Sequence, residues 1–366
     1  MPPHPALTQP TILPPALRPG DTIALVSPSA RLNSILPTPL HRGRCFLESL
    51  GFRVRIIYTP FPEPSSIADS IRIRTAELHT AFGDPTIQAI ICTIGGQHAN
   101  ELLPHLDYAL IRANPKIFVG YSDTTFLHYA LESRAGLRTF YGPSLLTDFS
   151  DVQPLPFTVE HLLHVLTGGS GAVGPVPRSL RCAVEHNDFQ FGRDASVEPR
   201  VTVPSPAWRW VRRGRAEGKL YGGTVHIVER LQGTVFAPSS WKDHVLLLES
   251  AMGLDTIERP YSVARFRGNL VDLALSGVLG EISGLVVGRG YKYDERMQEE
   301  LAAVIVEVLD VVVGRKDELP VLMNVDVGHT SPFVTLPFGA RVRLDSERDE
   351  FVVLEAGVST STVPSS

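Results

Sequence analysis

The sequence predicts an α/β protein in which an N-terminal, doubly wound, mostly parallel sheet domain precedes a smaller β-rich C-terminal domain. Three observations carry this reading. Short apolar runs of strand length recur through the first 165 residues, helix-like segments separate them, and the second half strings further strand-like runs around one long helical stretch. At 366 residues the chain also exceeds what one core ordinarily organises, so two domains are expected.

In chain order, residues 1–16 are proline-rich and read as a flexible N-terminus; their prolines interrupt the continuous apolar core that a signal peptide needs. Residues 17–165 form the first domain. Its strands are TIALVSPS, FRVRIIYTP, IQAIICTIGG and KIFVGYSD, each short and enriched in β-branched residues. Between them, PLHRGRCFLESLGF ends at a glycine suited to a C-cap, ADSIRIRTAELHTAFGD spaces Ile71, Leu78 and Phe82 one or two helical turns apart, and TTFLHYALESRAGL repeats the pattern. Residues 166–216, beginning TGGSGAVGPVPRSL, are rich in Gly, Pro and Arg with weak periodicity and read as a linker or cover. Residues 217–358 supply GKLYGGTVHIVERLQGT, DHVLLLES, EISGLVVGRGY, the helix ERMQEELAAVIVEVLDVVVG, PVLMNVDVGH and the closing pair ARVRLDSERDEFVVLEAG. Residues 359–366 read as a disordered tail.

A formal net charge of −5 and the lack of a Lys/Arg block argue against nucleic acid as a partner. The three cysteines, Cys45, Cys92 and Cys182, are scattered without CxxC spacing, which fits a reducing cytoplasm rather than a disulfide scaffold or zinc site. No apolar run is long enough to cross a bilayer. His161 and His164, with Glu160, imitate metal-ligand spacing, but no HExxH or matching carboxylate accompanies them, so no metal is expected. Dinucleotide and P-loop glycine patterns are missing too, and no cofactor is expected.

Ser122 stands where KIFVGYSD turns from strand to helix. There its hydroxyl would project at the carboxyl edge of the sheet beside helix N-terminal amides able to hold an oxyanion; the alternative is an ordinary helix N-cap, since GYSD lacks the second glycine of GxSxG. Gly120, two residues earlier, is read as the residue that lets the chain bend. Gly95 and Gly96 follow another strand and place backbone amides at the same edge, or simply make a tight turn. A serine nucleophile needs a histidine base and a carboxylate to orient it. His329 leaves a strand end beside Gly328, and Glu249 ends the run DHVLLLE; each has an equally plain reading as a loop or surface residue. In AWRWVRRGR, Trp208 and Trp210 among four arginines suit a nucleobase or an anion, or pack on the second domain under a solvated basic loop.

Taken in order, CTIGGQHAN, KIFVGYSDTTFLHYAL, GKLYGGTVHIVERLQGT, VLLLES and LPVLMNVDVGHTSPFVTLPFGARVRL resemble the LD-carboxypeptidase family of serine peptidases, within it the microcin C self-immunity branch, from residue 17 nearly to the end. The resemblance implies a Ser-Glu-His triad carried onto Ser122, Glu249 and His329, with an oxyanion hole from the Asp123 amide and one from Gly95 or Gly96. It implies a homodimer, beside the cytoplasmic setting that the cysteines suggest, and a small peptide or aminoacyl-nucleotide substrate, with Asn100, Trp208 and Trp210 as substrate-binding residues. Ile94 precedes the glycines where murein-trimming members carry arginine, Thr224 replaces the asparagine of GGN, and Ser250 stands where an acid commonly follows the glutamate. Murein tetrapeptide LD-carboxypeptidase activity and a non-catalytic small-molecule binding protein are the alternatives.

Overall fold

The computed structural model describes residues 11–61, 66–168, 171–185, 198–253, 256–316 and 318–360. The first half runs β1 (Thr22–Val26), α1 (Pro37–Ser49), β2 (Arg53–Ile57), α2 (Ile67–Gly83), β3 (Ile87–Cys92), α3 (Tyr108–Ala113), β4 (Ile117–Gly120), α4 (Thr125–Ala135), β5 (Phe140–Tyr141) and α5 (Pro156–Thr167). Its strands pair in parallel in the order β2-β1-β3-β4-β5. Helices cover the sheet, so β1 and β4 are buried along their whole length while edge strand β2 is largely exposed. Local chemistry sets the helix ends: the Ser66 hydroxyl accepts from the Asp69 amide at the start of α2, and Gly136, at φ 67°, closes α4 in the left-handed region.

The second half continues with β6 (Gly174–Pro175), β7 (Arg181–Ala183), β8 (Thr202–Pro204), β9 (Arg209–Arg212), β10 (Arg215–Thr224), α6 (Val225–Leu231), β11 (His244–Glu249), α7 (Val263–Leu275), α8 (Val278–Glu281), β12 (Gly284–Gly288), α9 (Glu295–Glu307), β13 (Val321–Val325), β14 (Leu336–Pro337), β15 (Arg341–Asp345) and β16 (Glu350–Val353). Among the described residues the second sheet has eight strands, β6-β16-β15-β10-β11-β12-β13-β9, with β10 to β13 parallel. Four helices, α6 to α9, stand where the sequence showed one: α6 and α8 are short, with seven and four residues, while α7 has 13, as many as α9.

Four expectations need correction. Part of the stretch read as linker belongs to the second sheet: β9 pairs antiparallel with β13, and β6 with β16. Such short edge strands are held by backbone hydrogen bonds and need no apolar period. The N-terminus is tied down from Ile12 onward, the Ile12 amide donating to the Gly136 carbonyl (2.8 Å) and the Ala16 amide to the Ser359 carbonyl (2.9 Å). That second bond also fixes the first residue of the stretch read as a tail; residues 1–10 and 361–366 lie outside the described residues. Finally, β14 crosses from the C-terminal half to pair antiparallel with β5, extending the first sheet.

The halves meet through aromatic and glycine contacts. Tyr129 of α4 meets Tyr221 of β10 edge to face at 4.5 Å, and a Cβ on Gly223 would come within 2.6 Å of Thr125. Glu132 lies in this seam, and burial, opposed only by Lys219 and Arg138, pushes its carboxyl up to about 7 from 4.5. An acid with a raised folded-state value binds more protons folded than unfolded, so stability falls as pH rises between 4.5 and about 7. Glu132→Gln is therefore expected to melt at a higher temperature than the parent at pH 8 and at the same temperature at pH 4, as thermal scans would read.

Candidate active site

β4 ends at the centre of the first sheet, and a single helical turn at Ser122–Thr124 leads into α4. Ser122 itself takes the strained conformation, with φ 62°. Gly120 therefore acts differently from the sequence reading: it is not the bend, but a Cβ there would lie 2.8 Å from Thr124 Oγ1 and 3.1 Å from Cys92. Glycine clears the space into which the turn folds back.

The Ser122 hydroxyl points at His329, Oγ to Nε2 at 2.9 Å, and His329 Nδ1 lies 2.8 Å from Glu249 Oε2. Glu249 is wholly buried at the end of β11. Burial alone would raise its carboxyl, but the contact with His329 and hydrogen bonds from His329, Thr224 and Tyr141 outweigh it and hold the group below its ordinary value. An ionised carboxylate only accepts, so the Nδ1–H donates to Glu249, leaving Nε2 to accept the Ser122 proton. The Tyr141 hydroxyl (2.7 Å) and the Thr224 hydroxyl donate to the other oxygen, Glu249 Oε1. Thr224 thus bonds the glutamate directly, while Ser250 is a buried neighbour on the same strand end. Gly328 permits the approach of the His329 loop: at φ 106°, a Cβ would sit 2.6 Å from Glu249 Oε2.

A Cβ on Gly95 would lie 2.6 Å from Ser122 Cβ, 2.9 Å from Ser122 Oγ and 3.3 Å from the Asp123 nitrogen. Gly96, at φ 132°, abuts Ala30. The Gly95 backbone therefore lies directly against the Ser122 side chain and the Asp123 nitrogen. The Asp123 side chain serves this arrangement as a tie, accepting from the Ser29 hydroxyl (2.5 Å) and the Ala99 amide (2.9 Å), so that the β1 loop and the 95–100 loop are fastened to the Ser122 turn.

These groups open into a cleft of about 730 Å³, whose walls include Gly95, Asn100, His226, Arg230 and Met252. Asn100, expected to bind substrate, is among the residues lining that cleft. Trp208 and Trp210 are not: Trp210 Nε1 donates to Asp349 (2.7 Å), and Trp208 packs on Phe351 beneath the Arg178 guanidinium, 3.9 Å from the ring centre. Both follow β9 to the outer edge of the second sheet, where they cover that sheet rather than line the cleft. His161 and His164 are likewise engaged structurally, His161 Nδ1 accepting from the Thr335 amide (3.0 Å) and His164 Nε2 bonding the Val173 carbonyl (2.8 Å). Among the described residues, no group of three His, Cys, Asp or Glu could hold a metal ion, and no helix is long and apolar enough to cross a membrane.

Sequence reasoning missed Tyr141, His226 and Arg230. Tyr141 lies on a two-residue strand with no pattern, and only the fold brings it to Glu249.

Comparison with known proteins adds the decisive observation: residues 23–142 match the model of the LD-carboxypeptidase N-terminal domain and residues 217–344 that of the C-terminal domain. The chain belongs to the LD-carboxypeptidase family. It is thus a serine peptidase, and the domain holding Ser122 precedes the domain holding Glu249 and His329. Among its LD-carboxypeptidase relatives, the microcin C7 self-immunity protein MccF of Escherichia coli is 30% identical, the match covering 98% of each chain. The probable murein peptide carboxypeptidase of Bacillus subtilis is 29% identical over 94% of this chain and 95% of that one. A solved structure of MccF in complex with aspartyl sulfamoyl adenosine superposes with a TM-score of 0.80 at 28% identity, covering 95% of this chain and 100% of the other.

Proposed function

We propose that this protein hydrolyses an amide bond in a small aminoacyl or peptidyl conjugate, with aminoacyl nucleotides as the leading substrate class, through a Ser122–His329–Glu249 triad. The observation that carries the reading is the continuous hydrogen-bond series from Ser122 Oγ through His329 to buried Glu249, opening into a cleft of ligand size. Ser122 Oγ attacks the amide carbonyl as Nε2 of His329 takes its proton; the oxyanion falls between the Asp123 amide and the Gly95–Gly96 turn. His329 then gives the proton to the leaving nitrogen, and a water activated by the same imidazole releases the acid. Glu249 holds the imidazole in one tautomer and balances its charge.

The substrate class rests on likeness to MccF, whose structure holds an aminoacyl sulfamoyl nucleoside. A second reading, release of a terminal D-amino acid from a murein tetrapeptide, is favoured by Arg230. Its guanidinium lies 5.1 Å over the Phe126 ring and makes no ion pair among the described residues, whereas Glu101 of the cleft is engaged by Arg74 (2.7 Å) and His98 (3.2 Å). Arg230 therefore offers a basic group to a substrate carboxylate. Mass spectrometry of the purified enzyme with aspartyl sulfamoyl adenosine and with a murein tetrapeptide separates the two: cleavage of the conjugate supports the first reading, cleavage of the tetrapeptide alone replaces it with the second, and cleavage of neither contradicts both. On whichever carboxylate-bearing substrate is cleaved, Arg230→Ala is expected to raise KM by ~10-fold with kcat little changed, as loss of a charge-assisted hydrogen bond made equally in ground and transition states does.

A further inference from the structure

We propose that Arg200, from the stretch between the two sheets, is a positioning residue that holds His329 at its working distance from Ser122. The inference rests on Ser122 acting as the nucleophile.

His329 sits in a loop without regular structure, and such a loop does not hold an imidazole to sub-ångström tolerance by itself. Glu249 and the Tyr121 ring, 5.2 Å away, orient the imidazole, and the loop that carries it is fixed two residues on, at Ser331. Three separate parts of the chain converge there: the Ala183 amide donates to the Ser331 carbonyl (2.8 Å), Arg200 Nη1 donates to the Ser331 hydroxyl (3.0 Å), and the same guanidinium pairs with Asp151. Both side chains of that pair are 3% exposed, and Ser331 is 1% exposed. On the other side of the loop, α5 contributes the Thr158 hydroxyl, which accepts from the Phe333 amide (2.9 Å). A second buried pair holds the start of the loop, where Asp326 accepts from the Ser179 amide (2.9 Å) and pairs with Arg289.

A buried ion pair contributes little net stability, because desolvation offsets most of the attraction; its value is geometric, since a planar guanidinium engaged at two points fixes both partners. Here it engages Asp151, in the bend that precedes α5, and the loop of the catalytic histidine, with the Glu185 carbonyl at 3.4 Å as a further contact. A histidine displaced by about 1 Å costs on the order of 100-fold in rate, so the pair bears on chemistry although it touches no substrate.

The test uses a fluorophosphonate, which needs no knowledge of the natural substrate. Ser122 Oγ attacks phosphorus, fluoride leaves, and His329 takes the hydroxyl proton, so the limiting labelling rate reads the Ser122–His329 geometry while the half-saturating probe concentration reads binding. Arg200→Met is expected to lower the limiting rate ~10- to 100-fold with half-saturation within ~3-fold of the parent. Arg200→Lys should recover part of the loss. Because Arg200→Met leaves Asp151 buried without its ion-pair partner and could unfold, Ser331→Ala is the companion: it keeps the ion pair, removes a hydroxyl that bonds Arg200 and the buried Asp148, and should lower the limiting rate of the folded protein ~3- to 10-fold. Parental labelling rates in Ser331→Ala and in folded Arg200→Met would overturn the proposal, as would losses that track only the folded fraction. A parent protein that does not label at all would instead overturn Ser122 as nucleophile, and this inference with it.

Discussion

Ser122→Ala is expected to lower kcat by ~10⁴-fold or more while the protein folds and melts as before. The expectation follows from how little the hydroxyl does besides chemistry. It bonds His329 Nε2, and the turn around it is built by others: Gly120 clears the space, the Thr124 and Thr125 hydroxyls bond back to the Tyr121 and Ser122 carbonyls, and the Asp123 carboxylate ties in the neighbouring loops. Alanine inherits the positive φ and therefore the strain. Ser122→Gly does not, and should be equally inactive yet more stable by ~1 kcal/mol, since a left-handed backbone costs an L-residue about that much. Activity and melting temperature measured on the three proteins would show strain retained for function. Turnover surviving in either variant would remove Ser122 from the mechanism.

Glu249→Gln is expected to cost ~10³- to 10⁴-fold in kcat, by the same logic that makes a triad carboxylate indispensable for the imidazole tautomer. The structural reason is a mismatch of donors. Glu249 accepts from His329, Tyr141 and Thr224. An amide can accept only through its oxygen, so its NH₂ group must face either the His329 N–H or the two hydroxyls. Facing His329, it reverses the tautomer and leaves Nε2 protonated, unable to take the Ser122 proton; facing the hydroxyls, it forces both to turn. The variant should also be less stable at neutral pH. The folded-state carboxylate is held below its ordinary 4.5, so its contribution is complete above pH 4.5 and is lost as pH falls further. Melting curves of parent and variant should accordingly converge on acidification below 4.5, and a gap that widened there would contradict the assignment of Glu249 as a native-state anion.

How far this site could be read beforehand depends on which residues announce themselves locally. Ser122, Glu249 and His329 each end or follow an apolar run, because the carboxyl edge of a parallel sheet is where such side chains emerge, and the order of their motifs pointed to the family. Gly95 was legible as a turn, though not as the residue whose missing Cβ makes room for Ser122. Tyr141 and Thr224 were illegible as partners of Glu249, since Thr224 meets it only through the register of β10 on β11, and Tyr141 arrives on a strand of the other half. Trp208 and Trp210 misled for a related reason. Aromatic and basic composition suits a nucleobase wherever it occurs, and only pairing of β9 with β13 decides that these rings cover the second sheet. The tie at Ser331 was equally hidden, because it joins residues 151, 183 and 200, which share no pattern in sequence.

Whether Ser122 is the nucleophile of a His329- and Glu249-dependent hydrolase is tested most directly by peptide mapping, with mass spectrometry, after fluorophosphonate treatment. The predicted result is one adduct, on Ser122, formed in the parent and lost in His329→Ala. An adduct on another serine, or labelling of Ser122 that persists undiminished without His329, would contradict it.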